Sequence, residues 1–177
     1  MNAVIKLSSP VTHEFWEIPV LFEDEHLLAL DKPAGLSASP DHDPARPDLM
    51  KLLHAGIAAG KPWAREHNLT YLNNVHRLDI ETSGVFLLAK SKPVFVALAD
   101  LFGSEQPERK YVALVQGTPN EDRFAIEAKL APHPVNLGLM RVDPTSGKKS
   151  QTRFEVLEKF PRYTLLKCEP LDRKSVV

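Results

Sequence analysis

The chain has 177 residues, of which 43% are hydrophobic and 25% are charged, the ordinary balance of a soluble globular domain. Its formal net charge is −1, from 22 Lys and Arg against 23 Asp and Glu, so overall charge gives no support for binding a polyanion. No stretch approaches the roughly 20 apolar residues that a membrane span needs, and the N-terminus lacks the apolar core of a signal peptide. The single cysteine, Cys168, excludes an internal disulfide, and we expect a cytoplasmic protein.

The first third of the chain predicts a leader, two strands and a helix. We expect residues 1–17 to form a loosely held leader, followed over 18–36 by two short strands around an acidic turn. Residues 39–48 have loop composition. A helix follows that begins after the N-cap residue Asp48 and ends at Gly60, because four apolar residues recur there at helical spacing: Leu49, Leu52, Leu53 and Ile57.

The rest of the chain predicts another helix and several strands. Residues 61–72 are interpreted as a surface loop, and Ser91 is placed to cap a helix over 92–103. Four later segments have the alternation of half-buried strands, and the last contains Cys168 as a small packed residue: 110–117, 124–130, 150–160 and 163–170. Two helices among six or more strands indicate an α+β fold with a mixed, largely antiparallel sheet, flanked by helices and loops.

An imidazole, a guanidinium and a carboxylate are crowded into "HRLD", where they are His76, Arg77 and Asp79. Thr82, Ser83 and Gly84 follow, and then the apolar run 85–89, which we expect to be a strand buried on both faces. A loop that precedes such a strand is held still by the sheet. Three roles remain open for Asp79 on this evidence, namely nucleophile, general base, or a structural cap for the amides of Thr82 and Ser83.

Other chemistry is disfavoured by spacing. No second pair of metal-ligand residues accompanies His76 and Asp79, so no metal site is predicted. The chain lacks the Gly-x-Ser-x-Gly elbow of serine hydrolases, and "PTSGKKSQT" (144–152) is better interpreted as a hairpin turn than as a phosphate loop. The basic pairs Arg109-Lys110 and Lys148-Lys149 are interpreted as dispersed, solvated charge.

Four blocks, taken in order, resemble the RluA-type pseudouridine synthases, which isomerise uridine to pseudouridine in ribosomal and transfer RNA. They are "LFEDEHLLALDKPAGL", "HRLDIETSGVFLLAKS", "RKYVALVQG" and "GKKSQTRFEVLE", and together the resemblance runs from about residue 20 to 171. It implies a pseudouridine synthase catalytic domain over residues 18–177 with a central cleft. It also implies a structural role for the Lys32-Pro33 block.

The resemblance assigns roles to six residues. Asp79 matches the family's nucleophile, with attack at the sugar C1′ or at the uracil C6 left open. Tyr111 matches the tyrosine that packs on the flipped uracil and assists proton removal from C5, and Arg77 matches the residue that helps to displace the base and contacts phosphate. Arg109 and Lys110 are assigned to RNA contacts, and His76 is expected to shape the turn or to contact RNA rather than to transfer protons. The implied partner is a structured ribosomal or transfer RNA, the expected state is a monomer, and neither a cofactor nor a metal is implied.

The sequence departs from the family in two places. No small RNA-binding domain of the ribosomal S4 type is recognisable before residue 18. After a strand like 163–170 the family continues into Leu-Thr-Gly-Arg-x-His-Gln-Ile-Arg, whereas this chain reads "PLDRKSVV" and offers only Arg173 near that position. The family's C-terminal block carries an arginine that pairs with the catalytic carboxylate. The sequence therefore predicts a pseudouridine synthase, with a catalytically impaired RNA-binding relic of the same fold as the alternative.

Overall fold

The computed structural model describes residues 3–40, 45–104, 107–136 and 139–171, so Arg173 lies outside the described residues. The chain divides into two compact units, Met1–Ser104 and Glu105–Val177. Each unit is built on one five-stranded sheet, and every pair of neighbouring strands in both sheets is antiparallel. The predicted α+β class with a largely antiparallel arrangement is confirmed. In the described part of the chain, no helix is long and apolar enough to cross a membrane.

In its described residues, the first unit contains five strands and three helices. Its sheet has the order β1-β2-β3-β5-β4. The strands are β1 Val4–Ser8, β2 Phe15–Glu23, β3 Leu27–Lys32, β4 Asn73–Asn74 and β5 Gly84–Ala89. The helices are α1 Leu49–Ala58, α2 Pro62–Glu66 and α3 Lys92–Gly103. The predicted acidic turn joins β2 to β3, where the Asp24 carboxylate accepts the amides of His26 and Leu27 at 2.8 and 2.7 Å.

The core of the first unit lies between one face of this sheet and helices α1 and α2. Helix α1 begins as predicted, because the Asp48 carboxylate accepts the Lys51 amide at 2.8 Å. Helix α2 falls inside the segment expected to be a loop, and its Trp63 is buried. A Cβ at Gly56 of α1 would overlap a ring carbon of Trp63, so the two helices pack together only with glycine there.

Two expectations for the first unit differ from what is observed. Residues 4–8 of the expected leader form β1, which pairs with β2 and buries Ile5 and Leu7 in the core. Their alternation with exposed neighbours is that of a half-buried strand. The prediction that β5 is buried on both faces is wrong, since Phe86 and Leu88 are fully buried but Val85 is 60% exposed. Antiparallel sheets commonly leave one face accessible, and an apolar run does not show which face that is.

The second unit consists of strands in the order β6-β10-β9-β7-β8. They are β6 Tyr111–Gln116, β7 Arg123–Pro132, β8 Met140–Val142, β9 Lys148–Lys159 and β10 Tyr163–Pro170. The short strand β8 was not predicted. The predicted hairpin turn lies between β8 and β9, where the Asp143 carboxylate accepts the amides of Thr145 and Ser146. Cys168 is fully buried, which confirms its packing role, and burial raises the pKa of its thiol.

Candidate active site

Asp79 lies in the turn that leads into β5, and the turn does not use its carboxylate. The backbone carbonyl of Asp79 accepts the Thr82 amide at 3.0 Å, so the main chain closes the turn. The side chain of Asp79 is half-buried and makes no hydrogen bond or ion pair with any other described residue. The capping role left open by the sequence would require the carboxylate to accept the Thr82 or Ser83 amide, and this contact is not observed.

The residues on both sides of Asp79 are anchored. Leu78 is buried, with 7% of its surface exposed. The carbonyl of Ile80 accepts the Gly35 amide at 2.7 Å, and Gly35 adopts a φ of +83° that favours glycine. The "KPAG" turn after β3 is therefore tied to the turn that contains Asp79. This tie holds the backbone of Asp79 in place while leaving its carboxylate available.

Lys32, at the end of β3, completes the connection between the two turns. It is fully buried, and its Nζ donates to the carbonyls of Pro33 at 2.8 Å and Leu36 at 2.7 Å, with a longer contact of 3.4 Å to Ile80. Burial lowers the pKa of the Lys32 ammonium, while the charges of Glu81 and Asp79 act in the opposite direction. A buried ammonium that binds carbonyls from both turns thus lies within electrostatic range of Asp79.

His76 is held by the fold rather than presented to solvent. Its Nε2 accepts the backbone amide of Leu87 in β5 at 2.9 Å, so this nitrogen carries no proton in this arrangement. The ring lies between two phenylalanines, with centroid distances of 5.4 Å to both Phe86 and Phe102, and it is stacked parallel to Phe102. These contacts connect the turn before β5 to the end of helix α3. They support a turn-shaping role, and the expected RNA contact stays a prediction.

Arg77 takes no part in these contacts. Its side chain is exposed, although its neighbours His76 and Leu78 are half-buried and buried. The structure therefore brings His76, Arg77 and Asp79 together on one turn with three different environments. The ring is held by the fold, the guanidinium faces solvent, and the carboxylate belongs to a half-buried residue whose side chain the fold does not use.

The other three predicted site residues lie together at the start of β6 in the second unit. Tyr111 is half-buried and pairs in register with Cys168, which in turn pairs with Phe154 of β9. Arg109 is half-buried. Lys110 is exposed and forms an ion pair with Glu108 at 2.9 Å, which raises the pKa of the lysine. Their proposed roles toward RNA stay predictions.

Sequence reasoning missed two features of the first unit. The first is the contact of the Lys32 ammonium with carbonyls of both turns, since the resemblance implied only a structural role for the Lys32-Pro33 block. The second is an ionic network in which the Glu23 carboxylate accepts from Lys90 at 2.7 Å and contacts the His67 ring at 2.5 Å. Its members are far apart in sequence, so no local pattern could have revealed it. Across the described segments, no group of three or more His, Cys, Asp or Glu side chains could hold a metal ion.

The chain is similar in sequence to known proteins. A family model described as RNA pseudouridylate synthase matches residues 26–175. The chain is 35% identical over 156 residues to the ribosomal large subunit pseudouridine synthase C of Vibrio vulnificus, covering 88% of this chain and 46% of the relative. It is also 35% identical over 161 residues to the ribosomal large subunit pseudouridine synthase D of Nitrosomonas europaea, covering 89% of this chain and 44% of the relative.

Two solved structures are similar in fold. Human RNA pseudouridylate synthase domain containing 4 aligns with a TM-score of 0.66 at 22% identity, covering 86% of this chain and 59% of that chain. Human RNA pseudouridylate synthase domain containing 1 aligns with a TM-score of 0.67 at 18% identity, covering 88% and 60%. The chain thus spans about half the length of the curated relatives it matches.

Proposed function

Because the chain belongs to the RNA pseudouridylate synthase family, we propose that the protein isomerises uridine to pseudouridine in ribosomal RNA, with Asp79 as the nucleophile. The observation that supports this proposal is the way in which the fold holds Asp79. The Asp79 carbonyl closes the turn, and Leu78 and Ile80 anchor it on both sides. The half-buried Asp79 side chain is therefore held in place, while its carboxylate makes no contact that the fold requires. The names of the bacterial relatives support ribosomal RNA as the substrate, and such a reaction would take place in the cytoplasm.

The proposed reaction exchanges one bond of the nucleotide for another. The bond between C1′ of the ribose and N1 of the uracil breaks, a bond between C1′ and C5 forms, C5 loses its proton, and N1 gains one, so the product is an isomer of uridine. Attack by the Asp79 carboxylate, at C1′ or at C6, divides this exchange into two steps that pass through a covalent intermediate. The exchange is redox-neutral, so it requires neither an oxidant nor a reductant.

The uridine must leave the RNA stack before a carboxylate can reach it. We assign Arg77 to this step, because its exposed guanidinium is carried on the same turn as Asp79 and is suited to contact phosphate or occupy the space of the displaced base. Tyr111 is assigned to pack against the uracil and to assist removal of the C5 proton. Arg109 and Lys110, which precede it, are assigned to RNA contacts, and His76 to shaping the turn and bordering the RNA.

The proposal is tested by release of tritium from RNA that contains uridine labelled at C5, since the label leaves when the new carbon–carbon bond is completed. The wild-type protein should release tritium, and Asp79→Ala should lower the rate by about 10³-fold or more. Glu81→Ala is the matched control, because Glu81 is an exposed carboxylate two residues away. Equal release by the wild type and Asp79→Ala would overturn the assignment of the nucleophile.

A further inference from the structure

The segment that follows β3 contacts the turn that contains Asp79 at two points. One is the bond from the Gly35 amide to the carbonyl of Ile80, the residue directly after Asp79. The other is made by Asn74, the last residue of β4, which precedes Arg77 in the chain. The proposed nucleophile and the exposed guanidinium are therefore carried on a short piece of backbone that is held on both sides.

Asn74 uses the nitrogen of its side-chain amide for both of its side-chain hydrogen bonds. The Nδ2 group donates to the His76 carbonyl at 2.9 Å and to the Ser39 hydroxyl oxygen at 3.3 Å. A carbonyl oxygen only accepts, so the atom that faces it is the amide nitrogen and not the amide oxygen. Asn74 is half-buried, and the His76 carbonyl belongs to the peptide that leads directly into Arg77. The bond thus fixes the backbone immediately before the guanidinium.

The Ser39 end of this contact is held by the first turn of helix α1. The Ser37 hydroxyl donates to the Ser39 carbonyl at 2.7 Å. The Ser37 carbonyl accepts the amide of Leu49, the first residue of α1, at 2.8 Å. Leu49 is fully buried in the core of the first unit. Asn74 therefore connects the turn that contains Asp79 to a helix that the core holds in place.

The direction of the Arg77 side chain depends on this backbone. Among the described residues, the exposed Arg77 guanidinium makes no hydrogen bond or ion pair, so no polar partner in this part of the chain orients it. A long side chain that only its own main chain directs is displaced whenever that main chain shifts. A displacement of about 1 Å in an active site can lower a rate by about 10²-fold.

We propose that Asn74 is a positioning residue of the active site, which holds the backbone of Arg77 so that the guanidinium displaces the target uridine toward Asp79. This inference rests on the proposed function, which supplies the reaction. Asn74 would act after the RNA has bound, in the step in which the nucleotide leaves the stack. Its loss should therefore slow the reaction of bound RNA, while the cation that contacts RNA stays on the turn.

The test compares Asn74→Asp with Asn73→Asp. Asn73 is the matched control, because its Oδ1 accepts the Asn74 backbone amide at 3.0 Å and an aspartate still accepts that bond. At Asn74 the same change removes the donor, since a carboxylate has no proton to donate. Both variants add one negative charge to β4. Asn74→Leu, which is neutral and similar in size, separates loss of the donor from the added charge.

Hydrogen exchange, followed by mass spectrometry, measures whether Asn74 holds the turn. Peptides that span residues 76–82 should exchange at least about threefold faster in both Asn74 variants than in Asn73→Asp, because the turn opens more often without the bond. Peptides of the second unit should exchange equally in all variants. Equal exchange across residues 76–82 would overturn the inference, whether or not the protein is active. Faster exchange throughout the chain would assign Asn74 to the stability of the whole fold and would also overturn it.

Release of tritium from RNA with uridine labelled at C5 measures the effect on the reaction. At saturating RNA, both Asn74 variants should release tritium at least about tenfold more slowly than Asn73→Asp. The RNA concentration that gives half the maximal rate should stay within about threefold of the wild-type value. Unchanged rates for the Asn74 variants, or a change in the half-saturating concentration alone, would overturn the inference. No release by the wild-type protein would instead contradict the proposed function, and hydrogen exchange would still decide whether Asn74 holds the turn.

Discussion

His76 and Arg77 are adjacent in the chain, but their side chains lie in different environments. The His76 ring accepts the Leu87 amide and packs between Phe86 and Phe102, whereas the Arg77 side chain is exposed. A packed, hydrogen-bonded ring contributes to the stability of the folded state, whereas an exposed guanidinium contributes little to that stability. The resemblance assigned Arg77 to RNA and left His76 between shaping the turn and contacting RNA, because a motif does not show which side chain the fold itself requires.

We predict that His76→Ala lowers the free energy of unfolding by about 2 kcal/mol, because it leaves the Leu87 amide without its acceptor and removes the ring packing. Arg77→Ala should change that free energy by no more than about 0.5 kcal/mol while weakening RNA binding. Urea denaturation and RNA anisotropy measure the two effects. A loss of stability for Arg77→Ala equal to that for His76→Ala would contradict this division of roles.

Lys32 lies in an environment that is unusual for its residue type, because lysines are seldom fully buried. Lys32→Met keeps most of the volume but leaves the carbonyls of Pro33, Leu36 and Ile80 without their donor. We expect the free energy of unfolding to fall by about 2 kcal/mol or more, since the lost hydrogen bonds outweigh relief of the buried charge. Lys61→Met, at an exposed position, is the control, and thermal denaturation is the readout. Equal melting temperatures for the two variants would show that the buried contacts do not stabilise the turns.

At the scale of elements, the Glu23 network ties three of them together. Glu23 ends β2, Lys90 follows β5, and His67 caps the C-terminus of α2. Burial raises the pKa of the Glu23 carboxyl, but hydrogen bonds from Lys90 and His67, together with their charges, lower it to below its usual value of 4.5. The charged carboxylate is therefore favoured in the folded state.

The sign of the pH dependence follows from that lowered pKa. Because the folded state holds the proton of Glu23 less tightly than the unfolded state, its stabilisation is complete above pH 4.5 and is lost as pH falls through the folded-state pKa. Glu23→Gln should lower the free energy of unfolding by about 1 to 3 kcal/mol at pH 7. The difference from the wild type should shrink as the pH falls below 4.5. Urea titrations of both proteins across this range measure it, with the exposed Glu25→Gln as control. A difference that is constant with pH would contradict the assignment.

The elements that the sequence predicted correctly carry both periodicity and a boundary signal. Helix α1 has apolar residues at helical spacing behind the N-cap residue Asp48, and helix α3 begins with Pro93 in its first turn. Helix α2 has five residues and strand β8 has three, which is too short for a period to be recognised. Strand β1 did carry the alternation of a strand, and interpretation of the N-terminus as a leader overlooked it.

For the whole molecule, the family and the position of the Asp79 turn were predictable, but the contacts that hold the turn were not. The motif identifies Asp79, yet it does not show that the backbone carbonyl closes the turn and that Lys32 and Gly35 anchor the next residue. Hydrogen bonds of this kind join residues about 45 positions apart, and they depend on the pairing of β3 with β5. Local sequence patterns predict helices and strands, whereas the pairing of strands that are distant in sequence determines which of their atoms come into contact.

The most direct test of the central claim is the pseudouridine content of ribosomal RNA treated with the wild-type protein or with Asp79→Asn, measured by mass spectrometry. Because the turn uses the Asp79 carbonyl and not its carboxylate, the variant should keep the melting temperature and RNA affinity of the wild type. It should nevertheless form no pseudouridine above background, since an amide is a poor nucleophile. Pseudouridine formation by Asp79→Asn at the wild-type level would contradict the role of Asp79 as the nucleophile.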